Sequence, residues 1–561
     1  MKVLLTTLNA KYIHSNLAIR LLYQLNKDVE GLAWKEFTLK EPLADIAAYC
    51  AGYDVVAFST YIWNYTATIE VARAIKMLNP DVRILLGGPE VSYEWETCIQ
   101  DAAVDFIISG EGEIPFQQFL QQYPHCELVP SLIWKNEAGV QQNLPAPMFD
   151  LTQVNDILPY VDDERDSLRD RVLYVETSRG CPYHCAFCLA SLDNKVRQLP
   201  MPAIKENLLF LMTHGRVIKF LDRTFNVRKD FSLEIFQIIL DHHHPGNVFQ
   251  FEITADIVHP DIIRFIQMHI PAGLFRFEIG IQTLNRKANL EVERRQDFDK
   301  TRAVIQQLQG HVAMHLDLIA GLPFDSFADI RYSFEEVFRL FAPELQLGFL
   351  KFLKGTPVRK QAAMHGYRYQ EKPPYEIIDS LYLTVQELDD IRLLEQALEM
   401  YWNKNRAQST LRYVALHYSS FDFLLGVGKA FALASDFHHH KLQDIYRVLH
   451  TYIEKAYPED KMLQELVAFD YYTYPKIRPA RLLPGPCSEA YCRSVLKARG
   501  YPEQGYRYFL LPISFDIKAL LSSSVFKQEA MEIIIRYDGV HKAGYEQFPV
   551  YKELAGSHHT S

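Results

Sequence analysis

Cys181, Cys185 and Cys188 fall in a CxxxCxxC spacing just after the apolar, β-prone run Leu173-Tyr174-Val175. Three thiols so close cannot all pair as disulfides, and no fourth cysteine is near in sequence. Tetrahedral zinc takes four ligands, and cubane iron–sulfur clusters usually take four cysteines. The simplest reading is a four-iron cluster with three irons held by protein and the fourth open to a small molecule. The alternatives are unconnected core thiols, or a zinc site completed by His184.

With Phe187 just before the third cysteine, this stretch resembles the radical S-adenosylmethionine (SAM) superfamily. The resemblance implies that the cysteines sit on the loop after the first strand of a partial barrel. A strand–helix rhythm supports that barrel from residue 172 to about 357. Strands are expected at Leu173–Val175, Val217–Leu221, Phe249–Ile253, Phe275–Ile279, Met314–Ile319 and Leu345–Phe349. Six βα units predict chemistry at the C-terminal strand ends. By resemblance, SAM lies across that face. Phe187 then meets the adenine, Asp222 accepts from the methionine amine and Gln282 contacts the ribose. Glu278 belongs to the same fourth-strand signature, Arg294 meets the carboxylate, and Gly321 belongs to an adenine-side segment. Asp222 departs from the family, which often has Gly-Gly-Glu there.

Ahead of the barrel, residues 2–125 alternate β-rich runs with amphipathic stretches such as Leu17–Leu25 and Ala67–Leu78. Strands are expected at Val3–Thr7, Trp34–Thr38, Val55–Ser59, Arg83–Leu86 and Phe106–Ser109. This predicts an open parallel Rossmann-like sheet with ligands at the strand carboxyl ends. GxGxxG and Walker A patterns are absent after the first strand, which weakens nucleotide readings. A domain of this type before such a barrel resembles the cobalamin-binding subclass. The resemblance places Gly87, Gly88, Pro89, Gly110, Glu111 and Gly112 against the corrin and its tail, where a Cβ would collide. Asn9, Lys11, Tyr12, His14, Ser59 and Thr60 fill the neighbouring loops. No DxHxxG motif is present. His14 therefore either caps the following helix with Ser15, contacts the corrin, or ligates cobalt, the last ranked lowest.

The 561 residues suggest several domains. The expected division is 1–145 cobalamin-binding, 146–171 linker, 172–360 barrel and 361–555 a mostly helical C-terminal domain. Residues 128–145 read as a hairpin, and Gly556–Ser561 are set aside. Composition is ordinary for a globular protein, with 48% hydrophobic and 23% charged residues. No apolar run is long enough for a membrane span. Met1–Leu5 reads as a strand, not a signal peptide, and a thiolate-held cluster suits the reducing cytoplasm. The net charge of −10 gives no global pull on nucleic acid.

Residues 376–470 read as helical, including Ile377–Leu398. The triplets His242–His244 and His438–His440 read as solvated helix ends, because adjacent side chains on a helix do not converge. Residues 471–509 mix basic and aromatic side chains, as loop RNA would require. An ordinary basic face is the preferred reading. Cys487 and Cys492 read as buried thiols before a metal half-site.

The resemblance implies an enzyme using a 4Fe-4S cluster, SAM and cobalamin, served by a flavodoxin- or ferredoxin-type electron donor. The expected activity is methylation of an unactivated carbon through a 5′-deoxyadenosyl radical and methylcobalamin, with a modified tRNA base as one candidate substrate. Alternatives are a radical rearrangement or cyclisation without methyl transfer, and a non-catalytic cluster-bearing sensor or RNA-binding protein.

Overall fold

The computed structural model describes residues 1–437, 439–502, 504–523 and 525–550. His438, Glu503 and the set-aside tail lie outside the described residues. The chain divides into two compact units. One joins Met1–Asp325 with Phe349–Tyr382; the other joins Ser326–Gly348 with the chain from Leu383 onward.

The first unit opens with β1 (Val3–Asn9), β2 (Leu32–Thr38), β3 (Val55–Ser59), β4 (Arg83–Gly87), β5 (Phe106–Ile108) and the hairpin β6 (Leu132–Asn136) and β7 (Gly139–Gln142). Their order is β2-β1-β3-β4-β5-β6-β7. The first five are parallel, and β6 and β7 add antiparallel. Every residue of β1 is buried, as a central strand covered on both faces must be. The strand order reverses between β1 and β3, the place past whose carboxyl ends ligands of open parallel sheets bind.

The barrel sheet follows with β8 (Val172–Val175). The two-residue strands β9 (Ser178–Arg179) and β10 (Arg197–Gln198) pair antiparallel around the cysteine segment. Then come β11 (Val217–Phe220), β12 (Val248–Ile253), β13 (Phe275–Gln282) and β14 (Ala313–Ala320). These four and β8 run parallel in the order β8-β11-β12-β13-β14. The sixth expected strand forms as β15 (Glu344–Phe349). Burial alternates along β11–β14 with the two-residue period of a strand. Phe249, Phe251, Phe275 and Phe277 take the buried side; the last three pack against Phe236 of a covering helix, and Phe249 meets Phe275. Lys219, Glu252, Glu278 and Asp317 take the other side. The unit closes with β16 (Arg368–Tyr369) and β17 (Ile377–Asp379).

Ile377–Leu398 is not one helix, contrary to expectation. Ile377 is spent in β17, and the helix Val385–Ala397 starts at a capping box formed by Thr384 and Glu387. In the second unit this helix packs on Ser420–Ala434 through Gly428, where a Cβ would lie 2.3 Å from the Leu393 carbonyl oxygen. Helices Gln408–His417, Leu442–Ala456, Lys461–Thr473 and Glu489–Ala498 follow. The unit ends in an antiparallel sheet that sequence reading missed: β18 (Arg507–Phe515), β19 (Gln528–Tyr537) and β20 (Gly544–Pro549). No described helix is long and apolar enough to cross a membrane.

Candidate cofactor site

The cysteine segment leaves β8 through Thr177, Ser178, Arg179 and Gly180. Gly180 has φ +84°, and a Cβ there would lie 2.5 Å from the Lys195 carbonyl oxygen, so glycine is required. The segment is held by main-chain bonds. The Cys181 amide donates to Asp193 O (2.9 Å), that of Ala186 to Val292 O (2.9 Å), and that of Val358 to Ala186 O (3.0 Å). Cys181 and Cys185 are buried and Cys188 half-buried. Burial pushes the Cys185 and Cys188 thiols up, and the neighbouring Cys181 adds to this at both. Arg294 opposes this at Cys185, with Nη1 3.8 Å from Sγ. Three soft donors thus share one short segment with a cation beside the second, a donor set that fits a thiolate-held cluster. His184 is exposed, and among the described residues no three His, Cys, Asp or Glu side chains gather around one ion point. A zinc site would need His184 as its fourth ligand, whereas a cubane spreads its cysteines over three irons.

Asp222 is tied to the start of the cysteine segment. It is 1% exposed. Its carboxylate accepts from the Thr177 amide (3.0 Å), Thr177 Oγ1 (2.6 Å) and Ser178 Oγ (2.5 Å). Burial raises its pKa against these bonds. Three of its acceptor sites are thus spent on the base of the cysteine segment. Glu278 is likewise committed, receiving Lys219 Nζ on both oxygens at 2.9 and 2.7 Å. Phe187 is half-buried on the cysteine segment.

Gln282 ends β13 at a bulge, with φ +69°. Its Oε1 is buried without a hydrogen-bond partner, an orphan acceptor of the kind a ligand hydroxyl satisfies. Gly280 makes room for it, since a Cβ there would lie 2.3 Å from Gln282 Nε2. Arg294 also donates to the Gly280 carbonyl. Gly321, at φ +102°, directly follows β14 and its carbonyl accepts from Tyr367 OH at 2.7 Å. Cys185, Gly280, Gln282 and Arg294 are thus one neighbourhood. Sequence reading missed Lys219 and Glu252, although both show as charges at alternate positions of otherwise apolar strands. Burial raises the Glu252 carboxyl, opposed by Arg223 and Lys219.

On the first sheet, Asn9 Nδ2 donates to the His14 carbonyl at 3.0 Å and closes the loop after β1. Lys11 and Tyr12 are exposed, with Tyr12 facing the Arg171 guanidinium at 5.2 Å. His14 does not cap the next helix; Asn16 does, accepting from the Ile19 amide at 3.0 Å. The His14 ring instead meets Tyr174 OH at 2.8 Å, and burial with nearby Lys11 and Lys219 lowers its pKa. Ser59 lends its carbonyl to Thr7 and Asn64. Gly87 and Gly110 face open space, which leaves room for a bulky ligand. Gly88 differs: at φ +106° its Cβ would lie 2.6 Å from the Thr60 carbonyl oxygen, so the protein's own backbone requires this glycine. Pro89 follows, half-buried, and Gly112 caps the helix Glu113–Gln122. Glu111 pairs with Arg197 (2.5 Å) and Arg179 (3.2 Å) and accepts from the Phe149 amide (2.9 Å). These contacts draw its carboxyl below the usual range against its burial.

Elsewhere, the aromatic rings of 471–509 are largely structural. Tyr471, Tyr472 and Tyr508 are buried, and Tyr472 OH donates to Leu483 O at 2.6 Å. Arg478 lies over Phe509 at 4.1 Å. Cys487 and Cys492 sit in an apolar cluster with Val495, Leu510 and Ile534.

Three family profiles match the chain. One described as "B12 binding domain" covers residues 4–120 and one described as "Radical SAM superfamily" covers 175–337. A third, "Protein of unknown function (DUF4080)", covers 363–500. The 2-(S-pantetheinyl)-carbapenam-3-carboxylate methyltransferase of Streptantibioticus cattleyicolor is 30% identical over 163 residues, 27% of this chain and 24% of that protein. The cobalamin-dependent radical SAM methyltransferase TokK of Streptomyces tokunonensis is 31% identical over 162 residues, 27% of this chain and 24% of that protein. The chain thus spans about a quarter of the length of these curated relatives. The cobalamin-dependent S-adenosylmethionine radical enzyme OxsB, solved with aqua-cobalamin bound, shares the fold with a TM-score of 0.61 at 13% identity, over 84% of this chain and 80% of that one. A match to the B12 binding domain thus stands ahead of a match to the radical SAM superfamily in this one chain.

Proposed function

We propose that this protein is a cobalamin-dependent radical SAM methyltransferase that methylates an unactivated carbon. The observation that carries the reading is the seam within the first unit. Arg179 and Arg197, which flank the cysteine segment, reach Glu111 in the glycine loop after β5. Ligand-binding ends of two parallel sheets are thereby apposed. The named activities of the relatives support methyl transfer over rearrangement.

When bound, the cluster and SAM supply a hydrogen-abstracting radical and the corrinoid supplies the methyl group. The chain's own residues bind and orient these groups. Cys181, Cys185 and Cys188 hold the cluster as thiolates. Gln282 Oε1 accepts from a ribose hydroxyl, Arg294 receives the carboxylate of SAM, and Phe187 lies by the adenine. Gly321 keeps the end of β14 narrow there. Asn9, Lys11, Tyr12, His14, Ser59 and Thr60 line the crevice on the first sheet, and Gly87 and Gly110 admit the corrin and its tail. Asp222 positions the cysteine segment and Lys219–Glu278 lines the barrel interior. Residues 1–145 then form the corrinoid domain and 172–360 the SAM domain. A reducing compartment and a small electron-transfer protein complete the system. With several rings of 471–509 in the core, that stretch gives RNA few stacking platforms.

Anaerobic reconstitution with methyl-labelled SAM and hydroxocobalamin tests the proposal. The expected result is roughly four irons per chain, one bound corrinoid, 5′-deoxyadenosine, and label in a product drawn from metabolite or RNA pools. Failure to form 5′-deoxyadenosine, or product formed without label, overturns it.

A further inference from the structure

We infer that Lys354 and Glu90 are positioning residues that hold the corrinoid-side loop after β4 in register with the cysteine segment. The inference rests on the functional reading above. Glu90 directly follows Gly87-Gly88-Pro89 and is 5% exposed. Lys354 Nζ lies 3.1 Å from Glu90 Oε1 and donates to the Glu90 carbonyl at 3.2 Å. Tyr375 OH donates to the same Oε1 at 2.5 Å. Lys354 also faces the Tyr65 ring at 4.7 Å. A second hold lies beside the first. The Gly355 amide donates to Glu94 Oε1 at 3.1 Å, and Arg359 Nε lies 2.8 Å from Glu94 Oε2. Gly355 has φ +84°, and a Cβ there would lie 2.5 Å from the Tyr93 ring.

The same short stretch grips the other site. The Val358 amide donates to Ala186 O, between the second and third cysteines, at 3.0 Å. The Leu350 amide donates to Ala320 O at 2.9 Å, and Ile377 packs against Gly321 at the end of β14. Residues 350–360 therefore touch the corrinoid loop, the cysteine segment and the SAM-side strand end. A buried lysine and glutamate are costly to desolvate and are a weak source of net stability. Their geometry is specific: one ammonium bonds both the side chain and the main chain of the residue that ends the glycine loop.

The test compares the parent with Glu90→Gln/Lys354→Met and Tyr375→Phe. The double variant removes both charges together, so no unpaired buried ion is left to unfold the protein. Iron content, hydroxocobalamin binding by absorbance titration, and the ratio of methylated product to 5′-deoxyadenosine are measured. The expected result is unchanged iron and 5′-deoxyadenosine, with corrinoid affinity reduced about tenfold in the double variant and less in Tyr375→Phe. The product ratio falls in the same order. Parent-like corrinoid affinity and product ratio in the double variant overturn the inference alone. Iron lost in parallel with corrinoid also overturns it, because the pair would then be a general fold support. A parent that binds no hydroxocobalamin overturns the functional reading and this inference with it.

Discussion

Replacing Asp222 by alanine separates two roles for this carboxylate. The structure makes it the acceptor for the Thr177 amide, the Thr177 hydroxyl and the Ser178 hydroxyl. Thr177 is fully buried, whereas Ser178 is half-buried and can turn to water. Asp222→Ala therefore orphans two buried donors at about 1–3 kcal/mol each, roughly 2–6 kcal/mol together. Part of this is returned, because burial makes the carboxylate itself costly, as its raised pKa shows. The loss falls on the residues that launch the chain toward Cys181. The expected outcome is a lower iron content after anaerobic reconstitution, and a lower melting temperature of the metal-free protein. Asp222→Asn, which keeps one acceptor oxygen, falls between the variant and the parent. Iron counts and the KM for SAM are measured on the same preparations. If Asp222→Ala retains full iron and stability and only raises KM, the carboxylate acts on the methionine amine after all, and the positioning argument fails.

Asp470 is fully buried, accepts from the Thr410 amide and hydroxyl and the Ser409 amide, and has its pKa pushed up to about 6. A folded pKa raised above an unfolded value near 4 means that the second unit loses stability as pH climbs from about 4 to about 6, by about 3 kcal/mol, and is level above that. Asp470→Asn removes this dependence, so the difference in melting temperature between parent and variant should change across that window; parallel curves refute it. Gly88→Ala forces a Cβ against Thr60 O at 2.6 Å and should destabilise the corrinoid-free protein, whereas Gly110→Ala faces open space and should cost only about 1 kcal/mol of backbone strain while weakening hydroxocobalamin binding. Equal melting of the two corrinoid-free variants contradicts that distinction. Arg20 is buried between Glu36 (2.7 Å) and Asp163 (2.5 Å), so Arg20→Met leaves Asp163 without its partner and Glu36 with Arg171 alone, and should cost about 3–5 kcal/mol, with little relief from salt. Parent-like thermal unfolding of that variant would count against the buried-pair account.

Local pattern made the two parallel sheets legible. β1 to β5 and the barrel strands are short apolar runs bounded by turns, and in the barrel period-two burial places the charges on one side. Thr384-Val385-Gln386-Glu387 carried a capping-box signal that marked the true helix start, yet the apolar pair Ile377-Ile378 drew the expected boundary too early. Residues 507–549 were harder. Pro512 interrupts the reading of β18, and pairing with β19 shows only in three dimensions.

What local pattern could not carry was the choice of partner. Asp222 and Gln282 both stand where a ligand contact was expected, and sequence distance to the cysteines ranks neither. The partner 45 residues away, Thr177, absorbs Asp222, while no side chain meets Gln282 Oε1. The same distinction separates Gly88 from Gly110, identical in type and loop position but walled by Thr60 in one case and open in the other. A polar group is available to a cofactor only when the fold leaves its hydrogen bond unmade, because buried donors and acceptors are otherwise satisfied internally. Motif spacing therefore located the chemistry, and the residual unsatisfied groups decide which side chains perform it.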